Sequence, residues 1–484
     1  MRLLALFLAL ALPAVAAEKP NIIFILADDL GYGELGCYGQ KQIRTPHLDR
    51  MAAEGMRFTQ FYAGSTVCAP SRAVLMTGRH TGHVSVRGNA GGKKLDDRAA
   101  FGPQTLRDDE QTVAQLLKGA GYATALIGKW GLGELGSGAE PMRKGFDYFF
   151  GYLNQNHAHN YYPAWLTRGT ERVALRNEVP GDGPFGAGVA TKKVDYSHDL
   201  FAAEALAWIE QREDTPFFLY LAFTTPHANN EAGRKLGNGQ EVPDFGAYAD
   251  RDWTEPNKGQ AAMIARMDAD VGRLFALLQR RGLDEKTIVF FSSDNGPHKE
   301  GGNDPAFFNA SGGLRGIKRA LSDGGIRVPF LARWPGRIKA GVTSTHVGYF
   351  GDLMATLAEL TGTAAPEKLD SLSFLPTLLG QPADRQAKHD FLYWEFHEAG
   401  TKQAVLHAGR WKGIRQRPAA PLVLYDLQSD PGEVRNVAAD HADIIAKLDT
   451  YLAHARTDSP DWPIREPAPG KAGVGLEIEP PAKK

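Results

Sequence analysis

The sequence has little cysteine, no surplus of either charge and no long apolar run beyond its first residues. Cys37 and Cys68 are the only cysteines among 484 residues, which excludes a fold built on several disulfides. Acidic and basic side chains balance at a net charge of −1, so no basic surplus indicates nucleic acid or an anionic membrane as a partner. After residue 17 no run is long enough to cross a bilayer, and no membrane anchor is expected.

The first 17 residues have the pattern of a secretory signal peptide. Arg2 precedes an unbroken apolar run over residues 3–12, and small residues near Ala16 and Ala17 offer a cleavage site. We therefore expect an exported protein, periplasmic or secreted. In such a compartment a disulfide between the two cysteines would be the ordinary expectation.

Apolar runs and periodic segments alternate along most of the chain. Five continuous apolar runs predict strands, and five periodic segments predict helices. The strands are expected over residues 20–27, 122–127, 216–223, 287–292 and 327–332, and the helices over residues 45–54, 112–118, 197–211, 260–281 and 352–360. This alternation predicts an α/β fold with a mostly parallel sheet sandwiched by helices. Residues 137–194 have weak periodicity, which favours loops and short hairpins over the site.

The pattern changes between residues 369 and 390. Short strand candidates separated by turns follow over residues 391–396, 404–407, 411–415 and 423–426, and then a helix over residues 439–456. This spacing predicts an antiparallel sheet in a small α+β subdomain. We divide the chain into a signal peptide (1–17), a principal domain (18–375) and a C-terminal subdomain with its tail (376–484).

Polar side chains of the kinds that bind metal ions and anions follow four of the predicted strands. They are Asp28 and Asp29 after the first strand, Lys129 after the second, His227 after the third, and Asp294 with Asn295 after the fourth. Parallel strands end at one edge of a sheet, where sites in such folds lie. Carboxylate and amide oxygens suit Ca²⁺ or Mg²⁺. The alternative is that Asp28 and Asp29 only close a turn.

Residues 68–72 read Cys-Ala-Pro-Ser-Arg and run on to Thr77-Gly78-Arg79. Pro70 favours the first turn of a helix and Gly78 its end, so we expect Cys68 at a helix N-terminus, where the macrodipole favours an anion. The stretch resembles the signature of the type I sulfatases, in which this cysteine is oxidised to formylglycine. The alternative is a structural cysteine before an ordinary helix.

The resemblance extends over nearly the whole chain after residue 17. Matching blocks lie at residues 20–32, 43–58, 128–130, 145–147, 226–227, 293–296, 323–329 and 424–436. The resemblance implies the fold of the alkaline phosphatase superfamily and hydrolysis of a sulfate ester. It further implies a Ca²⁺ ion and a formylglycine-generating or equivalent maturation enzyme as a partner. The implied metal ligands are Asp28, Asp29, Cys68, Asp294 and Asn295. Cys37 would then remain a buried free thiol.

The resemblance also implies a role for each catalytic residue. Cys68, as the hydrate of formylglycine, would attack sulfur with one hydroxyl and expel sulfate with the second. Arg72 would stabilise the formylglycine and the metal site. Lys129 and Lys318 would hold sulfate oxygens, and His227 would donate a proton to the leaving oxygen.

One position departs from the family pattern. Many members read Gly-Lys-Trp-His where this chain has Gly131 in the fourth place. That histidine is commonly assigned to the release of sulfate or to a sulfate contact. Our hypothesis is that His298 or His83 replaces it.

The Gly-Lys-Trp-Gly block and the aromatic segment at residues 148–163 resemble a subgroup of bacterial carbohydrate sulfatases. Its members act on sulfated galactose or N-acetylgalactosamine, often at O4. The resemblance implies a sulfated glycan as substrate, with His159, His298 and Glu300 contacting the sugar. Two alternatives stay open: a phosphonate or phosphate ester hydrolase of the same superfamily, and a non-catalytic glycan-binding protein if Cys68 is never oxidised.

Overall fold

The structure, a computed structural model, describes residues 19–89, 104–181 and 184–467. The predicted signal peptide lies outside the described residues. Among the helices within those ranges, none combines the length and the apolar character that a membrane span requires.

The described chain contains two β-sheets and the helices that cover them. The strands are β1 (Asn21–Ala27), β2 (Met56–Tyr62), β3 (Ala123–Lys129), β4 (Tyr148–Tyr152), β5 (Trp165–Arg168), β6 (Glu171–Ala174), β7 (Phe217–Ala222), β8 (Thr287–Ser293), β9 (Phe330–Arg333), β10 (Val342–Tyr349), β11 (Phe391–Phe396), β12 (Lys402–His407), β13 (Trp411–Arg415) and β14 (Val423–Asp426). The α-helices are α1 (Pro46–Glu54), α2 (Cys68–Thr77), α3 (Val113–Gly119), α4 (Ser197–Glu210), α5 (Asn230–Leu236), α6 (Glu255–Arg280), α7 (Asp323–Ile326), α8 (Asp352–Thr361), α9 (Leu375–Leu378) and α10 (Ala442–Leu452).

The larger sheet has ten strands in the order β10-β2-β9-β8-β1-β7-β3-β4-β5-β6. Its four central strands, β8, β1, β7 and β3, are parallel to one another. All seven residues of β1 are buried, because helices cover both faces of a parallel sheet. The predicted α/β fold with a mostly parallel sheet between helices is therefore confirmed at the centre of the molecule.

Alternate residues of β1 belong to two different layers of the core. Ile22, Phe24 and Leu26 pack on the side of α2, α3 and α8. Ile23 and Ile25 pack on the opposite side, with α1, α4 and α6. Successive side chains of a strand point to opposite faces, so one short apolar run supplies both layers.

Several elements differ from those that the sequence predicts. β2 and β10 form one end of the sheet but were not predicted, and β9 begins at Phe330 and runs antiparallel to its neighbours. β4 lies in the segment that we expected to form loops and hairpins, yet it pairs in parallel with β3. β4 has only five residues, one of them an interior glycine, so its sequence pattern is too short to predict a strand. Its extended conformation depends on the pairing with β3.

The C-terminal strands β11–β14 form an antiparallel sheet of four, as predicted. This sheet packs on the principal domain and does not form a separate body: the Trp394 indole N–H donates to the carbonyl of Ala63 over 2.9 Å. Leu392, Trp394 and Phe396 belong to the same apolar core as Phe24. The division at residue 375 stays a prediction.

The buried carboxylate of Glu395, on β11, links the smaller sheet to the segments packed against it. Glu395 is fully buried and accepts hydrogen bonds from Arg87 and Arg456, each over 2.9 Å. Tyr393 donates to it over 2.8 Å, and a ring nitrogen of His397 lies 2.9 Å away. Burial alone would raise the pKa of Glu395, but His397 and the two arginines hold it well below its usual range.

We expect Glu395→Ala to destabilise the protein by about 3–5 kcal/mol, because Arg87 and Arg456 would lose their buried partner. Since the folded-state pKa is depressed, this stabilisation is present above the unfolded-state pKa of about 4.3 and is lost as the pH falls below it. Because the loss continues until the pH falls through the depressed folded-state pKa, urea unfolding at pH 7 and at about pH 2.5 measures both effects. Arg435→Ala, which breaks an exposed ion pair, is the control and should change stability by less than about 1 kcal/mol. An equal loss at both pH values would contradict the assignment.

Candidate active site

The predicted site residues meet at one edge of the ten-stranded sheet. Asp28 and Asp29 follow β1 directly, Asp294 follows β8, Lys129 ends β3, and His227 lies beyond the end of β7. These four strands are adjacent and parallel, so their carboxyl ends open on the same side.

Cys68 is the first residue of α2, and the whole helix is buried. The helix begins two residues earlier than Pro70 suggests, and Gly78 ends it in the left-handed conformation, with its N–H donating to the carbonyl of Val74. The Cys68 sulfur lies 3.4 Å from an oxygen of Asp28. Burial and the nearby Asp28 raise the pKa of the thiol well above its usual value.

Two buried cations, Lys129 and Arg72, neutralise Asp28 and Asp294 beside Cys68. Lys129 Nζ lies 2.6 Å from Asp28, and Arg72 contacts both Asp28 at 3.3 Å and Asp294 at 2.8 Å. Arg72 also donates to the main-chain carbonyl of Lys129 over 2.9 Å. Burial would raise the pKa of Asp28, but Lys129 and Arg72 lower it far below its usual range.

Asp29 links the second half of the cluster. Its N–H donates to Asp294 over 3.0 Å, and its carboxylate accepts from Asn295 over 2.7 Å and from Lys318 over 2.8 Å. Asp29 has a positive φ of 64°, which is uncommon outside glycine and turns its carboxylate into the site.

The cluster places carboxylate and amide oxygens, the donors that a hard divalent cation prefers, beside a thiol and an imidazole. Asp28, Asp29, Cys68 and His227 each offer one ligand atom, and these atoms lie within 4.8 Å of one another. The Oδ1 atom of Asn295 is buried, and no group in the described part of the chain donates to it. Burial and Asp28 raise the pKa of Asp294 to about 7. A cation held by oxygens would relieve both the unpaired oxygen and the repulsion between carboxylates.

His227 is oriented by its two ring nitrogens. Nδ1 lies 2.7 Å from the carbonyl of Ala228, and Nε2 lies 3.1 Å from Lys318 Nζ and 3.4 Å from Asp29. Burial and the charge of Lys318 lower the pKa of His227 to about 3, so the ring is neutral in the absence of substrate. The hydrogen bond from Lys318 therefore runs to the Nε2 lone pair.

The three predicted sugar-contacting residues lie around His227 and Lys318. The His159 ring stacks on His227 with centroids 5.0 Å apart, and its Nδ1 lies 3.1 Å from Glu231. His298 is fully buried. Its Nε2 is 3.1 Å from the Pro226 carbonyl, and its Nδ1 accepts from the Glu300 N–H over 3.1 Å. Glu300 joins Lys318 through one oxygen, at 3.4 Å.

Comparisons with known proteins agree with this geometry. Residues 20–363 match the family model described as "Sulfatase", and residues 317–458 match "N-sulphoglucosamine sulphohydrolase, C-terminal". The chain belongs to the sulfatase family. It is accordingly a sulfuric ester hydrolase.

Relatives of this sulfatase match over most of their length. N-acetylgalactosamine-6-sulfatase of Canis lupus familiaris is 36% identical over 407 residues, which cover 79% of this chain and 71% of the relative. Arylsulfatase A of Homo sapiens is 34% identical over 483 residues, with coverages of 90% and 86%. The solved structure of Ps i-CgsB in complex with k-i-k-neocarrahexaose superposes with a TM-score of 0.75 at 25% identity and covers 92% of this chain and 95% of its own.

Gln155 occupies the space beside Gly131 in this sulfatase. Gly131 has a φ of +74°, and a Cβ atom there would lie 2.1 Å from Gln155 Nε2. The Gln155 amide donates to the Gly131 carbonyl over 3.1 Å. No feature of the sequence pairs these two positions, because the contact depends on how the chain leaves β4.

His83 and His298, the candidates for the histidine that is missing at position 131, differ in their position and in their hydrogen bonds. His83 lies 2.9 Å from Asp370, whose N–H donates to the carbonyl of Gly78 over 3.1 Å. It therefore lies at the opposite end of α2 from Cys68, and ten residues of α-helix span about 15 Å. In His298 both ring nitrogens are engaged by the main chain, so neither is free to act as a base.

Of the two cysteines, Cys37 is half-buried and free, and Cys68 is also free. The structure has no disulfide between these two residues, both of which it describes. The prediction that Cys37 is buried is wrong, since its side chain is only partly covered.

We expect Gly131→Ala to destabilise this sulfatase by about 2–3 kcal/mol, because the new Cβ would meet Gln155 and alanine would adopt a positive φ. In a Gln155→Ala background the clash disappears, and only the backbone contribution of about 1–2 kcal/mol remains. Urea unfolding of the four proteins of this double-mutant cycle measures the coupling. Additive effects would contradict the packing described here.

Proposed function

We propose that the protein is an exported sulfatase that hydrolyses sulfate esters of a carbohydrate, with Cys68 matured to formylglycine and Ca²⁺ held by Asp28, Asp29, Asp294 and Asn295. The observation that carries this proposal is the position of Cys68. It is the first residue of a buried helix and faces Asp28, with Lys129 and Arg72 in contact with that carboxylate. The signal-peptide pattern supports export, and a formylglycine-generating or equivalent enzyme would be the maturation partner.

The oxygen donors support Ca²⁺ as the cation. Asp28, Asp29, Asp294 and Asn295 would hold it, with residue 68 as a further ligand, and the bound ion would withdraw electron density from the sulfate oxygens. Arg72 keeps Asp294 and Asp28 together, through contacts of 2.8 Å and 3.3 Å. The positive end of α2 adds to the field that favours an anion at residue 68.

As a formylglycine hydrate, residue 68 would supply one hydroxyl that attacks sulfur as the alcohol leaves, and a second whose oxygen re-forms the aldehyde as sulfate leaves. Lys129 and Lys318 meet the charge on the sulfate oxygens, since both ammonium groups are buried at the cluster. Lys318 Nζ donates to the unprotonated Nε2 of His227 over 3.1 Å, so the proton that reaches the leaving oxygen would come from the Lys318 ammonium through this nitrogen. The contact of His227 Nδ1 with the Ala228 carbonyl fixes the ring for this transfer.

A carbohydrate substrate is supported by the side of the site next to His227. His159 presents an imidazole there and Glu300 a carboxylate, and both kinds of group bind sugar hydroxyls. The named relatives include an N-acetylgalactosamine-6-sulfatase, and Ps i-CgsB was solved with an oligosaccharide. We propose sulfated galactose or N-acetylgalactosamine as the substrate. The sequence pattern favours a sulfate at O4 of the sugar. The name of the N-acetylgalactosamine-6-sulfatase makes O6 the second position to test.

Two other functions are separable by experiment. A phosphonate or phosphate ester hydrolase would use the same groups, but sulfate monoesters carry less charge and need fewer cations. A glycan-binding protein without catalysis would leave Cys68 as a thiol.

The function is tested by sulfate release from galactose and N-acetylgalactosamine sulfated at O4 or O6, together with 4-nitrophenyl sulfate and 4-nitrophenyl phosphate. We expect turnover of sulfate esters, with the sulfate of the nitrophenyl pair cleaved faster than the phosphate. Cys68→Ala should abolish turnover, whereas Cys37→Ala should retain it. The Cys68 peptide should be about 18 Da lighter than the thiol form. Faster phosphate cleavage, or an unmodified Cys68 in a fully active enzyme, would refute the proposal.

We also expect Ca²⁺ to stabilise the folded protein. At 100 times its dissociation constant, a ligand specific to the folded state adds about 2.7 kcal/mol, which appears as a rise in Tm of a few degrees. Asp294→Asn should remove most of this rise, whereas Asp440→Asn, an exposed carboxylate outside the cluster, should keep it. Differential scanning calorimetry with Ca²⁺ or EDTA makes the comparison. An undiminished rise in Asp294→Asn would place the cation elsewhere.

A further inference from the structure

Arg319, the residue after Lys318, has a backbone conformation that side-chain-bearing residues rarely adopt. Its φ is 76°, in the left-handed region that favours glycine. Such a conformation costs free energy and persists only where its surroundings fix it, which makes it a pointer to function.

Main-chain hydrogen bonds on both sides of the turn hold this conformation in place. The Arg319 N–H donates to the carbonyl of Thr66 over 3.1 Å, two residues before Cys68. The Lys318 N–H donates to the carbonyl of Pro297 over 2.9 Å. The turn therefore sends two successive cations in different directions. Lys318 points into the buried cluster with 3% of its side chain exposed, and Arg319 lies at the rim with 32% exposed.

Two carboxylates grip the Arg319 guanidinium at the rim. Glu300 contacts it at 2.5 Å through the oxygen that does not face Lys318, and Glu398 contacts Nε at 3.0 Å. Glu398 belongs to the connection between β11 and β12, so the C-terminal sheet reaches the rim of the site here. Burial would raise the pKa of Glu300, but Lys318 and Arg319 hold it well below its usual range.

Arg319 carries no surplus charge at this rim. It contacts both Glu300 and Glu398, so its charge is already met and none is left for a second anionic group of the substrate. A fixed guanidinium beside carboxylates instead offers donors and acceptors together. Hydroxyl groups of a sugar both donate and accept, so they match this pattern.

We propose that Arg319 and Glu398 bind the hydroxyls of the sugar that carries the sulfate and set which saccharide is accepted, while Lys318 holds the sulfate. This assignment rests on the carbohydrate substrate proposed above. It makes Arg319 a specificity-determining residue that the removal of sulfate itself does not need.

The test compares a sugar substrate with an aryl sulfate that has no hydroxyls. Arg319→Gly is the informative variant, because glycine adopts the same φ without a steric cost and so keeps Lys318 in place. We expect kcat/KM for the best sulfated monosaccharide among galactose and N-acetylgalactosamine, at O4 or O6, to fall about 10- to 100-fold, mainly through KM. For 4-nitrophenyl sulfate it should stay within about twofold. Glu398→Ala should also lower kcat/KM for the sulfated sugar and leave kcat/KM for 4-nitrophenyl sulfate unchanged.

Lys368→Gly is the matched control, since Lys368 is an exposed residue with a φ of 59° outside the site. It should leave both substrates unchanged. Equal losses on both substrates in Arg319→Gly would show that Arg319 only supports Lys318, and an unchanged sugar activity would show that it makes no sugar contact. Either result refutes the assignment and leaves the proposed function standing. A wild-type enzyme that cleaves 4-nitrophenyl sulfate but none of the sugars would refute the carbohydrate substrate, and this assignment with it.

Discussion

Three buried carboxylates, Asp28, Asp29 and Asp294, lie together at the edge of the sheet. Their mutual repulsion must be offset by positive charge, and the other residues of the site supply it. A buried charge is costly unless it is paired. Arg72, Lys129 and Lys318 supply the pairing, and each comes from a different part of the chain. The alternation of strands and helices is what allows such distant residues to meet without any of them facing water.

Because these charged residues lie directly after buried strands, the ends of the strands could be predicted from the sequence. Apolar runs that finish in Asp-Asp or Ser-Asp-Asn indicate a buried strand and a polar edge at once. The positions of Asp28, Lys129, His227 and Asp294 at one edge therefore followed from periodicity alone. β2, β4 and β10 did not follow, because short or half-exposed strands owe their conformation to the neighbour they pair with.

Contacts between distant loops could not be predicted from the sequence. Gln155 fills the space at Gly131, and Glu398 reaches Arg319 from the C-terminal sheet, yet neither pair has a spacing or a pattern that marks it. The positive φ of Arg319 also leaves no trace in composition, since arginine is not a residue that favours such turns. His298 had the residue type and the neighbourhood of a base, and only its two main-chain hydrogen bonds show that its ring is engaged.

The complete burial of α2 has a consequence for timing. Every residue of the helix is inaccessible in the folded protein, Cys68 included. Another enzyme could not reach this stretch without opening the core, since Val74 and Leu75 belong to the same apolar core as the central strands. Any oxidation of Cys68 by a second protein must therefore act on the nascent or unfolded chain. In a folded chain the burial of this helix would therefore protect an unmodified thiol from later maturation.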